Sequence, residues 1–178
     1  MSTVPEAETR FAAVVQQIIE PVRRYLARRT DPDTAEDVLA EVLLVCWRRR
    51  ADIPAEPLPW TYVVARHCLA NAERARRRRD RLAGRLQAVE RTVATPPQDA
   101  ADHSALHLAL RRLRPADAEV LRLWAWEQLG TGEIATVLEI SQNAAAIRLH
   151  RAKRRLREQL GKIDQRDGHT ESERRQDR

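Results

Sequence analysis

Three groups of residues in this chain have types and spacings that could do chemistry. The first is a pair of arginine clusters, Arg74 to Arg79 and Arg148 to Arg157, the second holding Arg148, Arg151, Lys153, Arg154, Arg155 and Arg157. Two such clusters fit two contacts with a polyanion, whereas either one alone is explained as well by a solvated helix face. The second group is His103 and His107, one helical turn apart, where a metal could be shared; no third ligand follows at a useful spacing. The third is Cys46 and Cys68, which make neither a disulfide framework nor a zinc site and are expected as reduced, partly buried thiols. Five scattered histidines offer no Ser-His-Asp or Cys-His grouping. No glycine-rich nucleotide cradle is present. The expectation is a protein that binds rather than transforms, with no catalytic residue, no metal and no cofactor.

The chain has 178 residues, a formal charge of +6 and a sequence pI near 10.3. Thirty of its 32 basic residues are Arg, a bias that a GC-rich genome alone would also produce, so the distribution matters more than the total. Residues 57–80 hold six basic residues against two acidic, and residues 104–162 hold 11 against six. Residues 1–56 hold eight against ten, with Asp31, Asp33, Glu36, Asp37 and Glu41 close together. No apolar run approaches the length of about 18 residues that a membrane span needs. Met1 to Arg10 carries Glu6 and Glu8 and no apolar core, so no secretory signal and no membrane insertion are expected, and the cytoplasm is the expected compartment.

The elements that must position these residues are helical throughout. Apolar residues recur at three- and four-residue steps, and Pro and Gly fall between the periodic stretches. A first helix is expected over about 8–29, with Pro21 kinking or splitting it. A second spans about 34–50, with Asp33 as N-cap and Glu36 completing a capping box; Ala35, Val38, Leu39, Val42, Val45 and Cys46 face inward. The loop from Ala51 to Pro59 is stiffened by Pro54, Pro57 and Pro59, and Pro59 fits the first turn of a third helix over about 60–79. Residues 81–103, with Thr95-Pro96-Pro97, read as a flexible linker, and the stretch before Thr95 is open to a helical extension. Beyond it, one helix ends near Leu113, and Pro115 opens another with Ala118, Leu121, Trp124 and Ala125 on one face and Gly130 as its stop. The last residues, 163–178, are polar and expected to be disordered. The fold class is all-α: two small helical domains, 8–80 and 104–162, joined by the linker.

The strongest local signal runs from Thr131 to Lys153. A short helix carrying Ile134, Val137 and Leu138 is followed by a tight turn, and Ser141 can cap a second helix. Ala135 is small where the two helices must cross. Such a helix-turn-helix enters the major groove N-terminus first, where Gln142, Asn143 and Ala144 stand. Glu139 occupies the turn position usually given to Gly, at a cost on the order of 1 kcal/mol for a left-handed backbone. An ordinary helical hairpin with a basic end is the rival explanation.

Asp33 to Arg49 (DTAEDVLAEVLLVCWRR) resembles region 2.2 of the extracytoplasmic-function (ECF) sigma factors of the sigma-70 family. Pro59 to Arg79 resembles regions 2.3 and 2.4, and Leu106 to Arg157 resembles region 4. The three stand in order and at the family's spacing over about residues 8–160. The resemblance implies a bacterial sigma factor, not an enzyme, that binds core RNA polymerase at the β′ clamp helices and the β flap and recognises the −10 and −35 promoter elements. It also implies help with strand opening, a monomeric state when free, and room for an anti-sigma factor as a further partner. On this resemblance Asp37 and Glu41 would contact the polymerase, an expectation that also suits acidic groups unhelpful against DNA. Trp60, Asn71, Arg74, Arg76, Arg77 and Arg78 would serve the −10 element. The Pro-rich loop would border a pocket for a flipped base, with Trp60 or Tyr62 near it, although both also fit a core. Gln142, Asn143, Ala144, Arg148, Arg151 and Lys153 would serve the −35 element, and Ala146 stands where the family often carries Lys or Arg. Helix-turn-helices serve repressors and response regulators too, so a stand-alone transcriptional regulator is the alternative.

Overall fold

The computed structural model describes residues 4–86 and 105–176; among them there are seven helices and no strand. Helices α1 (Val4–Ala27), α2 (Pro32–Arg48) and α3 (Pro57–Leu86) pack on one another as one compact unit. Helices α4 (Ala105–Arg111), α5 (Pro115–Ala125), α6 (Thr131–Leu138) and α7 (Gln142–Gln176) form a second.

In the first unit the apolar periodicity becomes a core of Ile18, Val22, Tyr25 and Leu26 from α1, Val38, Leu39, Val42 and Cys46 from α2, and Tyr62, Ala65, Cys68 and Leu69 from α3. The Tyr25 and Tyr62 rings meet with centroids 5.0 Å apart, so Tyr62 belongs to the core and not to a pocket at the Pro-rich loop. Pro21 does not split α1, which runs through it; Ile18, Val22 and Tyr25, each at most 1% exposed, clamp the helix on both sides of the missing hydrogen bond. Cys46 and Cys68 are buried thiols, both pushed up to about 11 by that burial, which keeps them protonated and unreactive.

The starts of α2 and α3 differ from expectation, in both cases because proline suits a first turn. α2 is capped by Asp31, not Asp33: Pro32 takes the first helical position, and Asp31 Oδ1 accepts from the Thr34 N–H at 2.9 Å. Glu36, expected in a capping box, instead pairs with Arg23 of α1 at 3.1 Å. α3 begins at Pro57, so both Pro57 and Pro59 lie in a first turn whose N–H groups have no intrahelical partner. The buried Thr61 hydroxyl donates to the Pro57 carbonyl at 2.7 Å and locks that turn. α3 runs past Arg79 to Leu86, in the stretch left open to a helical extension; the rest of the expected linker, with His103, lies outside the described residues, as does the His107 side chain.

In the second unit α4, α5 and α6 all pack against α7, burying Leu110, Val120, Leu121, Leu123, Ile134 and Val137 over Ala145, Leu149 and Ala152. The inward face of α5 includes Val120 and Leu123 rather than Trp124 and Ala125, which are exposed. Buried Asp117 of α5 pairs with half-buried Arg155 of α7, a contact tying the long helix to its support. α5 stops at Ala125, and Gly130 opens α6 rather than ending α5: its N–H donates to Glu133 Oε2 at 2.7 Å. The end of α7 departs from expectation too. Residues 163–176 continue the helix to Gln176: the chain has no proline after Pro115 to stop it, and extending a helix already formed costs little even past Gly168.

Candidate nucleic-acid interface

The turn between α6 and α7 is closed by backbone bonds from Glu139 N–H to Thr136 O (3.2 Å) and from Ile140 N–H to Ala135 O (3.0 Å). This is the Schellman arrangement, and it puts Glu139 in the left-handed region at φ 54° and ψ 45°. Ser141 then caps α7, its Oγ accepting from the Ala144 N–H at 3.2 Å. These bonds hold the start of α7 rigidly against α6, with Ala135 and Ala145 buried where the helices approach.

The packing decides which side of α7 is presented. Ala145, Leu149 and Ala152 face inward at steps of four and three, so the opposite stripe is outward. It consists of Asn143, Ile147, His150, Arg151 and Arg154, all exposed. Of the residues expected at a DNA groove, Asn143 and Arg151 are therefore on the outward stripe. Gln142 is exposed in the first turn, whereas Ala144 and Arg148 are half-buried on its flank. Lys153 is turned away: it is half-buried, its ammonium 3.4 Å from the centroid of the Trp124 ring. Ile147 and His150 were missed in the sequence, although their spacing from Asn143 was available as a signal once the inward triplet is known. Beside Lys153 and Trp124 a cleft of about 680 Å³ opens, lined also by Gln128, Leu129 and Leu149.

In the first unit, α3 carries the other basic cluster. Trp60, His67, Asn71, Arg74 and Arg78 follow one another at steps of seven, four, three and four, which aligns them along one side of the helix. His67, Asn71, Arg74 and Arg78 are exposed and Trp60 is half-buried, with the Arg49 guanidinium 5.5 Å from its ring centroid. Arg77 lies beside the stripe and pairs with Glu73 at 3.8 Å. Arg76 is on the other side, in line with buried Ala65 and Leu69 but beyond the core, and is exposed there. The helix thus joins four of the six expected residues and sets Arg76 apart.

α2 shows a third surface. Asp37 and Glu41 are exposed on the side opposite Val38, Val42 and Cys46, with Ala40 between them and Leu44 46% exposed one turn on. Leu44 falls out of the inward series of α2, which is the sequence signal that would have added it to the acidic pair. Among the described residues no group of His, Cys, Asp and Glu is arranged to hold a metal, and no helix is long and apolar enough to cross a membrane.

Comparison with known proteins agrees with this layout of helices. Residues 103–156 match the family model described as sigma-70, region 4, which contains the helix-turn-helix. RNA polymerase sigma factor CarQ of Myxococcus xanthus is 33% identical over 154 residues, covering 80% of this chain and 84% of that protein. ECF RNA polymerase sigma factor SigL of Mycobacterium tuberculosis is 31% identical over 140 residues, covering 75% and 79%. The fold is similar to that of the sigma factor RpoE from Bartonella quintana, solved with the anti-sigma factor NepR: TM-score 0.62 and 19% identity, over 85% of this chain and 96% of that one. With a matching helix-turn-helix and relatives alike over most of their length, the chain belongs to the ECF subfamily of the sigma-70 family of RNA polymerase sigma factors.

Proposed function

We propose that this protein joins core RNA polymerase and directs transcription initiation at specific promoters, with the α1–α3 unit serving the −10 element and the α4–α7 unit the −35 element. The observation that carries the reading is the outward stripe of α7, where Asn143 and Arg151 stand on a helix capped and braced as a groove-reading element needs to be. Arg148, on the flank, and Gln142 and Ala144, in the first turn, lie within reach of the groove edges. Lys153 contributes through the shape of the Trp124 surface rather than through phosphate.

On α3, Asn71, Arg74 and Arg78 would follow the backbone at the upstream edge of the melted −10 element, with Arg77 beside them and Trp60 at the end where a base could leave the stack. Arg76 would reach DNA only from the far side. The acidic and apolar face of α2, with Asp37, Glu41 and Leu44, is repelled by DNA and suits the β′ clamp helices. The cleft beside Trp124 suits the β flap. The protein performs no covalent chemistry in this scheme and works in the cytoplasm, where its polymerase is. A protein of the same fold, the sigma factor RpoE, was solved with the anti-sigma factor NepR, and a partner of that kind is a further candidate for this protein.

Purified core polymerase, a promoter library and this protein test the proposal. Specific starts are expected only when the protein is present. Tight duplex binding without polymerase, and no transcript with it, would make the protein a stand-alone regulator instead.

A further inference from the structure

We propose that Ile147 reads the 5-methyl group of a thymine in the −35 element. Ile147 is 43% exposed although it lies in the second turn of α7, the helix whose other face holds the core of its unit. Its neighbours on the outward stripe are Asn143 one turn before and Arg151 one turn after, with His150 and Arg154 alongside, all exposed. Ala146, also exposed, leaves space on one side of it. An isoleucine standing clear of its own domain between an amide and a run of arginines is out of place on a surface built only to bind phosphate.

The chemistry of base edges supplies its partner. In the major groove every pair presents hydrogen-bond donors and acceptors, and the one apolar group on offer is the thymine methyl. An aliphatic side chain gains from a base edge only by covering that methyl. The arginines that follow Ile147 along α7 fix where the helix rests on the phosphate backbone, and the isoleucine, nearer the helix N-terminus, is held over the base floor. Ile147 thus gives specificity where the basic residues give affinity, and Asn143 one turn earlier offers an amide for the adjacent base.

This inference rests on the −35 reading of the α4–α7 unit, and the test keeps the two apart. Holoenzyme reconstituted from core polymerase and the full chain is assayed on a promoter it transcribes, with each −35 thymine replaced singly by deoxyuridine. The exchange removes one methyl and leaves pairing intact. Wild-type holoenzyme is expected to lose about fourfold in association at one position, the worth of one buried methyl group. Ile147→Ala, which keeps the helix because alanine is its best former, should lose a similar factor on the thymine promoter and be indifferent to uracil. Ile147→Val should retain sensitivity. Specific transcription with no methyl-sensitive position, or sensitivity that survives in Ile147→Ala, overturns the Ile147 assignment alone. A holoenzyme that yields no specific transcript from any promoter overturns the sigma reading, and this inference with it.

Discussion

Arg151 and Lys153 carry the same formal charge two positions apart, yet at ~100° per residue they point about 200° away from each other. Arg151 is exposed on the outward stripe, while the Lys153 ammonium rests on the Trp124 ring, where a cation gains from the π face. Charge alone does not reveal this, and for that reason both read as DNA ligands in the sequence. The inward triplet Ala145, Leu149 and Ala152 separates them, because its burial fixes which side of α7 faces the core. The expected outcome is that Arg151→Ala lowers the slope of log affinity against log salt by about one in holoenzyme–promoter binding, the loss of one phosphate contact. Lys153→Ala should leave the slope unchanged. Equal slopes for the two variants would place both side chains, or neither, on the phosphates. Tyr62 makes the same point in the other unit: an aromatic near a proline-rich loop fits a base pocket as well as a core, and its packing on Tyr25 decides for the core.

At the scale of elements, most helices were legible because their apolar periodicity is strong, while their first turns were not. Pro57 reads as part of a stiff loop, and a start at Asp33 passes over Pro32, although proline is well suited to a position whose N–H has no helical partner. The consequence for α2 is that its start depends on Asp31. Its carboxyl is held below the ordinary carboxylate value of 3.8, first by the hydrogen bond from the Thr34 N–H. A depressed folded-state pKa contributes stability above the unfolded value, and that contribution is lost as pH falls through the folded value. Asp31→Ala is therefore expected to cost about 1 kcal/mol at neutral pH, with variant and parent converging as the pH drops below the carboxylate range. Hydrogen exchange of the α2 amides measures this within the α1–α3 unit. A difference that persists undiminished in acid would mean that the ionised carboxylate is not what holds the cap. Glu139 was the opposite case: the left-handed turn was legible because the helix-turn-helix demands it there whatever residue is present, and the backbone adopts it at φ 54°.

For the whole molecule, the net charge of +6 conceals a division of labour. Basic stripes lie on α3 in one unit and α7 in the other, and the exposed acidic face of α2 shares its unit with the first of them. An exposed acidic surface in the same small unit as a basic stripe is best explained by a protein partner, and the polymerase is that partner in the function proposed. The acidity was visible in the sequence; Leu44 was marked only by falling outside the inward series of α2, a weak sign in a helix full of inward leucines and valines. The division predicts separable defects. Asp37→Arg reverses the charge at an exposed position and retains helix propensity, so α2 and the α4–α7 unit should remain folded by circular dichroism. Co-purification with core polymerase should nevertheless be abolished. Leu44→Ala should weaken it without changing the net charge, which tells an apolar contact from simple electrostatic steering. If both variants co-purify as the parent does, the α2 face does not contact polymerase; if only Asp37→Arg fails, charge alone governs docking and Leu44 stands outside the contact.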